Sequence, residues 1–429
     1  MVQAVRGMRD VLPVEARRWR HIEAVAQGIL RQFAYEEVQL PLLEFTELFA
    51  RGVGEATDIV EKEMYALKDR DGDSLSLRPE GTASCVRALQ ENGLLFNQTQ
   101  KVCYAGPMFR YEKPQKGRYR QFYQIGAEAF GFNGPDVDAE LIAIGAELWR
   151  ELGLSMHVRL EINTLGAGPA RAAYKDALVA YLRPMVDQLD EDSRRRLETN
   201  PLRILDSKND ATQALLAHAP RLPAFVDTES QAHFNDLLAI LDALEIPYVS
   251  NPNLVRGLDY YTHTVFEWIT DDLGAQGTIC GGGRYNGLVE RLGGRPTPAA
   301  GFALGLDRVS LLHEVVHQNE MGSGADVYLC YGSAVADGKA QKCGQGLRRA
   351  FVQNGRRLQV RINMGGGNFK KQLKRANASG ATWAVILGED ELTAGTLTLK
   401  NLTSGEQTTL LEEQAVAHML SVYMNKNDQ

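Results

Sequence analysis

The segment Met108–Phe130 constrains the fold more than any other part of the 429-residue chain. A strand-like run leads into Arg110-Tyr-Glu-Lys-Pro-Gln-Lys-Gly-Arg-Tyr-Arg120, with five cations, one anion, a proline and a glycine. A second strand-like run leads out, so the pattern predicts a long hairpin with a cationic loop. In the outgoing run Phe122, Gln124, Gly126 and Glu128 alternate and share one face, while Ile125, Ala127 and Ala129 share the other. The apolar face requires a packed layer beneath it. The opposite face offers a ring, an amide, a bare backbone and a carboxylate in a row. A solvated hairpin with a polar outer face is one reading of that row. Arginines beside a stacking ring and a carboxylate suit an anionic, base-bearing ligand better.

The rest of the chain supplies the partners such a hairpin needs. Helical spacing after Pro13 predicts a helix over 14–34. Short strands are expected at Glu37–Leu40, Leu75–Leu77, Val102–Ala105, Met108–Tyr111 and Arg120–Phe130. A helix is expected over 137–152 and a strand over 156–162. Strands in succession with helices set apart predict an α+β core around a mainly antiparallel sheet. From 167 to 250 the pattern turns helical and charged, including Arg194-Arg195-Arg196, and prolines punctuate it. Strands resume at Thr262–Ile269 and Thr278–Cys280, so 167–250 is expected to be a helical insertion. The core is then 1–166 with 251–322. Gln318–Ala325 reads as a polar linker. Residues 326–429 open on a βαβαβ pattern: strand 327–331, helix 337–353, strand 357–362, helix 368–378 and strand 383–387. That is a separate α/β domain.

Composition narrows the function classes. With 44% hydrophobic and 24% charged residues the chain is globular. No run approaches the roughly 18–20 apolar residues of a membrane span, and the N-terminus has no signal-peptide core. Five cysteines at irregular spacing, without a C-x-x-C pair, argue against a disulfide framework or a cysteine zinc site. A cytoplasmic protein is expected. His313-Glu-Val-Val-His317 matches the zinc-protease pattern. An apolar stripe of Leu311, Leu312, Val315 and Val316 would put both histidines on the solvent side, so the match is read as coincidence. No phosphate-binding G-x-x-x-x-G-K-[ST] is present, so any nucleotide must use another cradle.

Three further clusters accompany the hairpin: Leu254-Val-Arg-Gly-Leu-Asp-Tyr-Tyr261, Gly281-Gly-Gly-Arg-Tyr285 and Ala300-Gly-Phe-Ala-Leu-Gly-Leu-Asp-Arg308. Consecutive glycines admit close approach of a ligand, although most such triplets are turns. Together with Arg6–Pro13, Val38–Pro41, Arg78-Pro-Glu-Gly-Thr82 and Gly365–Lys371, these runs resemble the class II aminoacyl-tRNA synthetases. The two histidine-type signatures, Arg256–Tyr261 and Gly282–Tyr285, are similar to those of the bacterial histidyl-tRNA synthetase family. Asn286 stands where the family commonly has Asp, and Asp307 where its third motif usually has Glu.

The resemblance implies a class II antiparallel core, a helical insertion and a C-terminal α/β anticodon-binding domain. It implies that histidine attacks the α-phosphorus of ATP, giving histidyl-adenylate and pyrophosphate, and that histidine then passes to the 3′ end of its tRNA. Arg110 and Arg256 become the catalytic candidates at the α-phosphate, with Arg118 and Arg308 at the β/γ end and Phe122 stacked on adenine. Glu80, Thr82, Gln124, Glu128, Arg256, Tyr260, Tyr261 and Tyr285 would surround histidine. Neutral imidazole has one donor and one acceptor nitrogen, which Glu128 and the Tyr261 hydroxyl could satisfy. Gln115, Arg118 and Arg120 would meet the tRNA acceptor end, and Lys370 and Lys371 its anticodon arm. Mg²⁺ would ride mainly on the phosphates, with no protein metal ligand assigned, and the chain would form a homodimer. The alternative for Arg256 is a core ion pair with Asp259. The nearest rival from another class is the synthetase-like regulatory subunit of ATP phosphoribosyltransferase, which typically lacks the C-terminal domain and the intact Arg-Gly-Leu-Asp-Tyr-Tyr run; another class II synthetase, such as prolyl or threonyl, fits the core but not the histidine signatures.

Net charge first argues against a nucleic-acid partner, at −7. Its distribution reverses that inference. Residues 110–120 carry +4 and residues 345–375 carry nine Lys/Arg and no acid, leaving the remainder strongly acidic. Two basic islands on an acidic chain favour specific over loose binding.

Overall fold

The computed structural model describes residues 2–425 except 55–56, 208, 318–324, 333–336, 354, 356 and 366. They fall into two compact units, Met1–Gln318 and Asn319–Gln429. The expected linker lies outside the described residues except for Ala325. No helix among the described residues is long and apolar enough to cross a membrane.

The first unit is built on an eight-stranded sheet. Its order is Glu36–Glu37, Gln100–Phe109, Gln121–Phe130, Ala299–Gly305, Thr278–Arg284, Thr262–Ile269, Arg159–Thr164 and Tyr248–Ser250. The six inner strands run antiparallel and the two short edge strands pair in parallel. Two strands expected at 102–105 and 108–111 are one, because Pro107 keeps its place in the ladder opposite Tyr123. The Pro107 carbonyl instead accepts the Arg78 Nε–H at 2.9 Å. The glycine triplet is likewise no turn: Gly281–Gly283 continue the strand Thr278–Arg284.

Alternation divides the sheet as the hairpin sequence requires. Ile125, Ala127 and Ala129 join Phe266, Trp268, Phe302 and Leu304 in a core roofed by four helices, Pro13–Gln32, Pro135–Glu151, Thr228–Ala243 and Leu306–His317. Pro13 opens the first helix because its missing N–H has no intrahelical partner to lose there. The opposite face carries Phe122, Phe130, Val265 and Ala299, and helices Gly168–Leu182 and Glu191–Thr199 contribute to its core. A separate three-stranded sheet joins Leu43–Phe45, Ser74–Leu77 and Tyr65–Lys68.

The helical region ends earlier than its charge pattern implies. Phe234, Leu237 and Leu241 of helix Thr228–Ala243 belong to the roofed core, and Tyr248–Ser250 is the sheet's last strand. Burial of that apolar stripe, rather than composition, assigns both elements to the core.

The second unit has the sheet order Val360–Ile362, Val327–Tyr331, Trp383–Leu387, Thr396–Asn401, Gln407–Leu411. The first three strands are parallel, and helices Asp337–Gln353 and Phe369–Ala378 cross between them. A hairpin, Thr396–Asn401 with Gln407–Leu411, extends the sheet antiparallel, followed by helix Glu412–Asn425. The βαβαβ reading stops short of these elements, although Leu397 and Leu399 alternate with threonines and are buried.

Arg284, inside one histidine-type signature, is structural. Its guanidinium bonds Asp138 and the carbonyls of Phe132 and Gly134 at 2.8 and 2.6 Å, and both charged side chains are 1% exposed. Removing one partner strands a buried charge. Arg284→Met should therefore lower unfolding free energy by about 3–5 kcal/mol in urea titration.

Candidate active site

On the sheet face opposite the four helices lies a cavity of about 680 Å³. Its floor rests on Glu128, which is 1% exposed. One carboxylate oxygen accepts the Thr82 hydroxyl at 2.7 Å and the Tyr104 hydroxyl at 3.1 Å; the other accepts the Tyr285 hydroxyl. Burial pushes the Glu128 carboxyl up to about 8, against the pull of these hydrogen bonds. Gly301 lies directly across the ladder, and a Cβ there would collide with the carboxylate. Glu80 accepts the amides of Thr82 and Ala83 at 2.8 and 2.9 Å, fixing the start of helix Thr82–Glu91. Beside them the Gln124 Oε1 is buried with no protein partner.

Four of the seven arginines that line the same cavity are motif residues: Arg110, Arg118, Arg256 and Arg308. Each is held by an acceptor. Arg110 donates from Nε to the Pro79 carbonyl at 2.9 Å and lies over the Phe122 ring, 5.2 Å from its centroid. Arg118 pairs with Glu112. Arg256 pairs with Glu267, which also accepts the Thr278 hydroxyl at 2.9 Å. Arg308 donates to the Gly117 and Thr278 carbonyls and to Gln276 at 3.1, 2.6 and 2.9 Å. Burial, then the charges of Arg118, Arg110 and Arg256, lowers Arg308 to about 10. Burial also lowers Arg110. Crowded cations of this kind make a site for a polyanion, with Phe122 as a stacking surface.

A family model described as histidyl-tRNA synthetase matches residues 7–309, and one described as anticodon binding domain matches 327–421. An apo histidyl-tRNA synthetase from S. aureus is 36% identical over 98% of this chain and 100% of its own, with a TM-score of 0.76. The chain belongs to the histidyl-tRNA synthetase family. Two more distant structures share the fold. A histidyl-tRNA synthetase from a Nostoc species is 20% identical, covers 98% and 99% of the two chains, and has a TM-score of 0.73. A Bacillus halodurans protein, described as an ATP phosphoribosyltransferase regulatory subunit/histidyl-tRNA synthetase, is 23% identical over 90% and 98%, at 0.64. The activity is that of a histidine–tRNA ligase, with ATP as a substrate and tRNA as the partner of its anticodon-binding domain.

Of the residues marked by the family's motifs, Glu80, Thr82, Arg110, Gln115, Arg118, Phe122, Gln124, Arg256, Tyr260, Tyr261 and Arg308 line this synthetase-family cavity. Glu128 and Tyr285 do not: they lie beneath its floor, bonded to each other. Arg120 also leaves it. Its guanidinium bonds the carbonyls of Glu112 and Arg6 at 3.1 and 3.3 Å and stacks over Tyr111, so it braces the loop against the N-terminal segment. Lys370 and Lys371 are exposed in the second unit at the start of helix Phe369–Ala378. The expected alternative for Arg256 is wrong: Asp259 pairs with Arg171, not Arg256. Both family departures accept hydrogen bonds in this chain. The Asn286 Oδ1 accepts the Ala299 amide at 3.1 Å, and Asp307 accepts from Arg9 Nη2 and the Tyr123 amide at 2.9 and 3.0 Å.

Several lining residues escape sequence reading. Arg195, Arg196 and Arg203 come from the helical region, and Arg195 pairs with Asp58 at 3.1 Å. Glu267 had a signal, a lone carboxylate in the apolar run Val265–Ile269. The H-E-x-x-H histidines are placed differently than expected. His313 is buried and Val315 exposed, because helix Leu306–His317 packs on helix Pro13–Gln32 as well as on the sheet. The His317 Nε2 lies 2.8 Å from the Leu152 carbonyl, and burial lowers His313 to about 4.

Glu128 yields a pH prediction. A carboxyl near 8 in the fold and near 4.5 unfolded keeps its proton only in the fold across that window. Its contribution to stability is full below 4.5, falls as pH rises and is gone above about 8. Glu128→Gln should flatten the change in urea midpoint between pH 5 and 8 relative to wild type.

Proposed function

We propose that the cavity binds ATP across Arg110, Arg118, Arg308 and Phe122, and binds L-histidine at Glu80, Thr82, Gln124, Tyr260 and Tyr261. The observation that carries this reading is the four-arginine wall beside the partnerless Gln124 Oε1. A ring face at Phe122 stacks adenine, while guanidinium forks meet the phosphates in bidentate fashion. Gln124 accepts from the histidine ammonium, and Glu80 supplies negative charge beside it. The Tyr261 hydroxyl donates to the bare imidazole nitrogen. Glu128 acts from below by fixing the Thr82 and Tyr104 hydroxyls that shape the pocket.

In the first step the histidine carboxylate oxygen bonds to the α-phosphorus and the bond to the bridging oxygen breaks, releasing pyrophosphate. Arg110 and Arg256 stabilise the charge on the α-phosphate oxygens, while Arg118 and Arg308 hold the leaving group. A terminal ribose hydroxyl of the tRNA then attacks the adenylate carbonyl, and AMP leaves. Gln115 and Arg118, both lining the cavity, meet that end in this reading. The exposed Lys370 and Lys371 contact anticodon phosphates, a contact weakened by salt.

Mg²⁺ accompanies ATP on the phosphates. Of the carboxylates lining the cavity, Glu267 pairs with Arg256, Glu112 pairs with Arg118 and Glu80 accepts backbone amides, while Asp58, Glu61, Glu63 and Asp307 line it as well. The enzyme works in the cytoplasm as a homodimer. Leu43, Phe45 and Leu67 of the three-stranded sheet are 43%, 60% and 44% exposed, an apolar surface suited to a second copy. The domains are a core over 1–166 and 251–322 with the helix Thr228–Ala243 and the strand Tyr248–Ser250, an insertion from 167, and an anticodon-binding domain over 326–429.

ATP–pyrophosphate exchange tests the site. Arg256→Ala should lower histidine-dependent exchange by roughly 10²–10³; a near-wild-type rate removes Arg256 from catalysis. A wild-type protein inactive with histidine would instead favour a regulatory subunit. Phe45→Glu should convert a dimeric mass to a monomeric one in sedimentation.

A further inference from the structure

The loop Val255–Tyr261 lines the cavity with every residue except Asp259. That carboxylate turns away, into the helical insertion. The Asp259 Oδ1 accepts from Arg171 Nη2 and from Asn200 Nδ2, both at 3.1 Å. Arg171 Nη1 donates to the Asp259 and Tyr261 carbonyls at 3.0 and 3.1 Å. One guanidinium thus grips the backbone on both sides of Tyr260. The Asp259 amide donates to the Val53 carbonyl at 3.2 Å, which anchors the loop from the other side. A third insertion residue, Arg203, lies against Gly257, where any Cβ would collide with its guanidinium.

We infer that Arg171 and Asn200 are positioning residues for the known reaction, acting through Asp259 on the loop that carries Arg256, Tyr260 and Tyr261. The inference rests on reading that loop as the histidine-binding side of the cavity. Arg171 lies at the first turn of helix Gly168–Leu182, and Asn200 ends helix Glu191–Thr199. Two rigid elements of the insertion therefore converge on one carboxylate. Four charge-assisted or carbonyl hydrogen bonds fix backbone that has no ladder partners of its own, since the strand begins only at Thr262. Small displacements of such a loop move the Tyr261 hydroxyl and the Arg256 guanidinium together. The other grips on the nucleotide are independent of this clamp, because Arg110, Arg118 and Arg308 are held by Pro79, Glu112, Gly117, Thr278 and Gln276, whereas Arg256 moves with the loop and its displacement lowers kcat.

Steady-state exchange kinetics and amide hydrogen exchange on the full chain test the clamp together. Arg171→Ala and Asp259→Ala should each raise the KM for histidine roughly ten- to hundredfold, the loss expected for hydrogen bonds to a charged group. The KM for ATP should stay within about twofold, and the double variant should be no worse than either single one. Arg171→Lys, which keeps the charge but loses the fork, should fall between. Amides of 256–261 should exchange faster in each variant, with or without substrate. Asn200→Ala supplies a milder lesion should the arginine variant fold poorly. A joint rise in both KM values with a lowered melting temperature, or unchanged exchange at 256–261, overturns the inference. Wild-type protein without histidine-dependent exchange would contradict the site assignment instead, and the amide comparison would still decide the clamp.

Discussion

Holding the four motif guanidinium groups together, among the seven arginines that line one cavity, is the constraint around which this catalytic unit is organised. Like charges repel most where water is scarce, and Arg308 is lowered to about 10 by burial and by its three neighbours. Arg110, Arg118, Arg256 and Arg308 stay together because each has its own acceptor. Those acceptors are distributed over the catalytic unit: a carbonyl before helix Thr82–Glu91, the one anion and a carbonyl of the hairpin loop, a carboxylate in strand Thr262–Ile269 and a carbonyl in strand Thr278–Arg284. The sheet register brings these segments to one face. Glycines make room for what lies between them; a Cβ on Gly281 would stand 2.6 Å from the Arg256 guanidinium. The result is an electrostatic surface prepared for phosphate before any nucleotide arrives.

Much of this was legible in the sequence. Alternation in Gln121–Phe130 correctly separated the face that packs under helices from the face that meets the cavity, because a strand's period of two leaves no freedom. Eleven of the residues marked by the family resemblance line one cavity. Local patterns failed where a residue has two surroundings. His313 sits on a helix packed on two sides, so a single apolar stripe misplaced it. Glu128 was read as facing a ligand, but three hydroxyls claim its oxygens first. Arg120 has the same charge as Arg118 two positions away, yet its partners are backbone carbonyls of the N-terminal segment and its own loop.

The insertion was the least legible part. Its composition marked a boundary near 167 but not its end, because the apolar stripe of Thr228–Ala243 is interrupted by polar residues and becomes recognisable only when buried on the sheet. Nor could sequence spacing show that Arg195, Arg196 and Arg203, at least 75 residues beyond the hairpin loop, join the cavity wall. Long-range contacts of this kind follow from where the insertion leaves and re-enters the sheet, at the adjacent strands Arg159–Thr164 and Tyr248–Ser250. That shared edge makes the insertion a neighbour of the cavity rather than a detached appendage.

The most direct measurement is a crystal structure with a non-hydrolysable histidyl-adenylate analogue. Adenine is expected on Phe122, the phosphate mimic between Arg110 and Arg256, and imidazole within hydrogen-bond reach of the Tyr261 hydroxyl. An analogue seated elsewhere, or seated here with its imidazole at the Phe122 end, would contradict this placement.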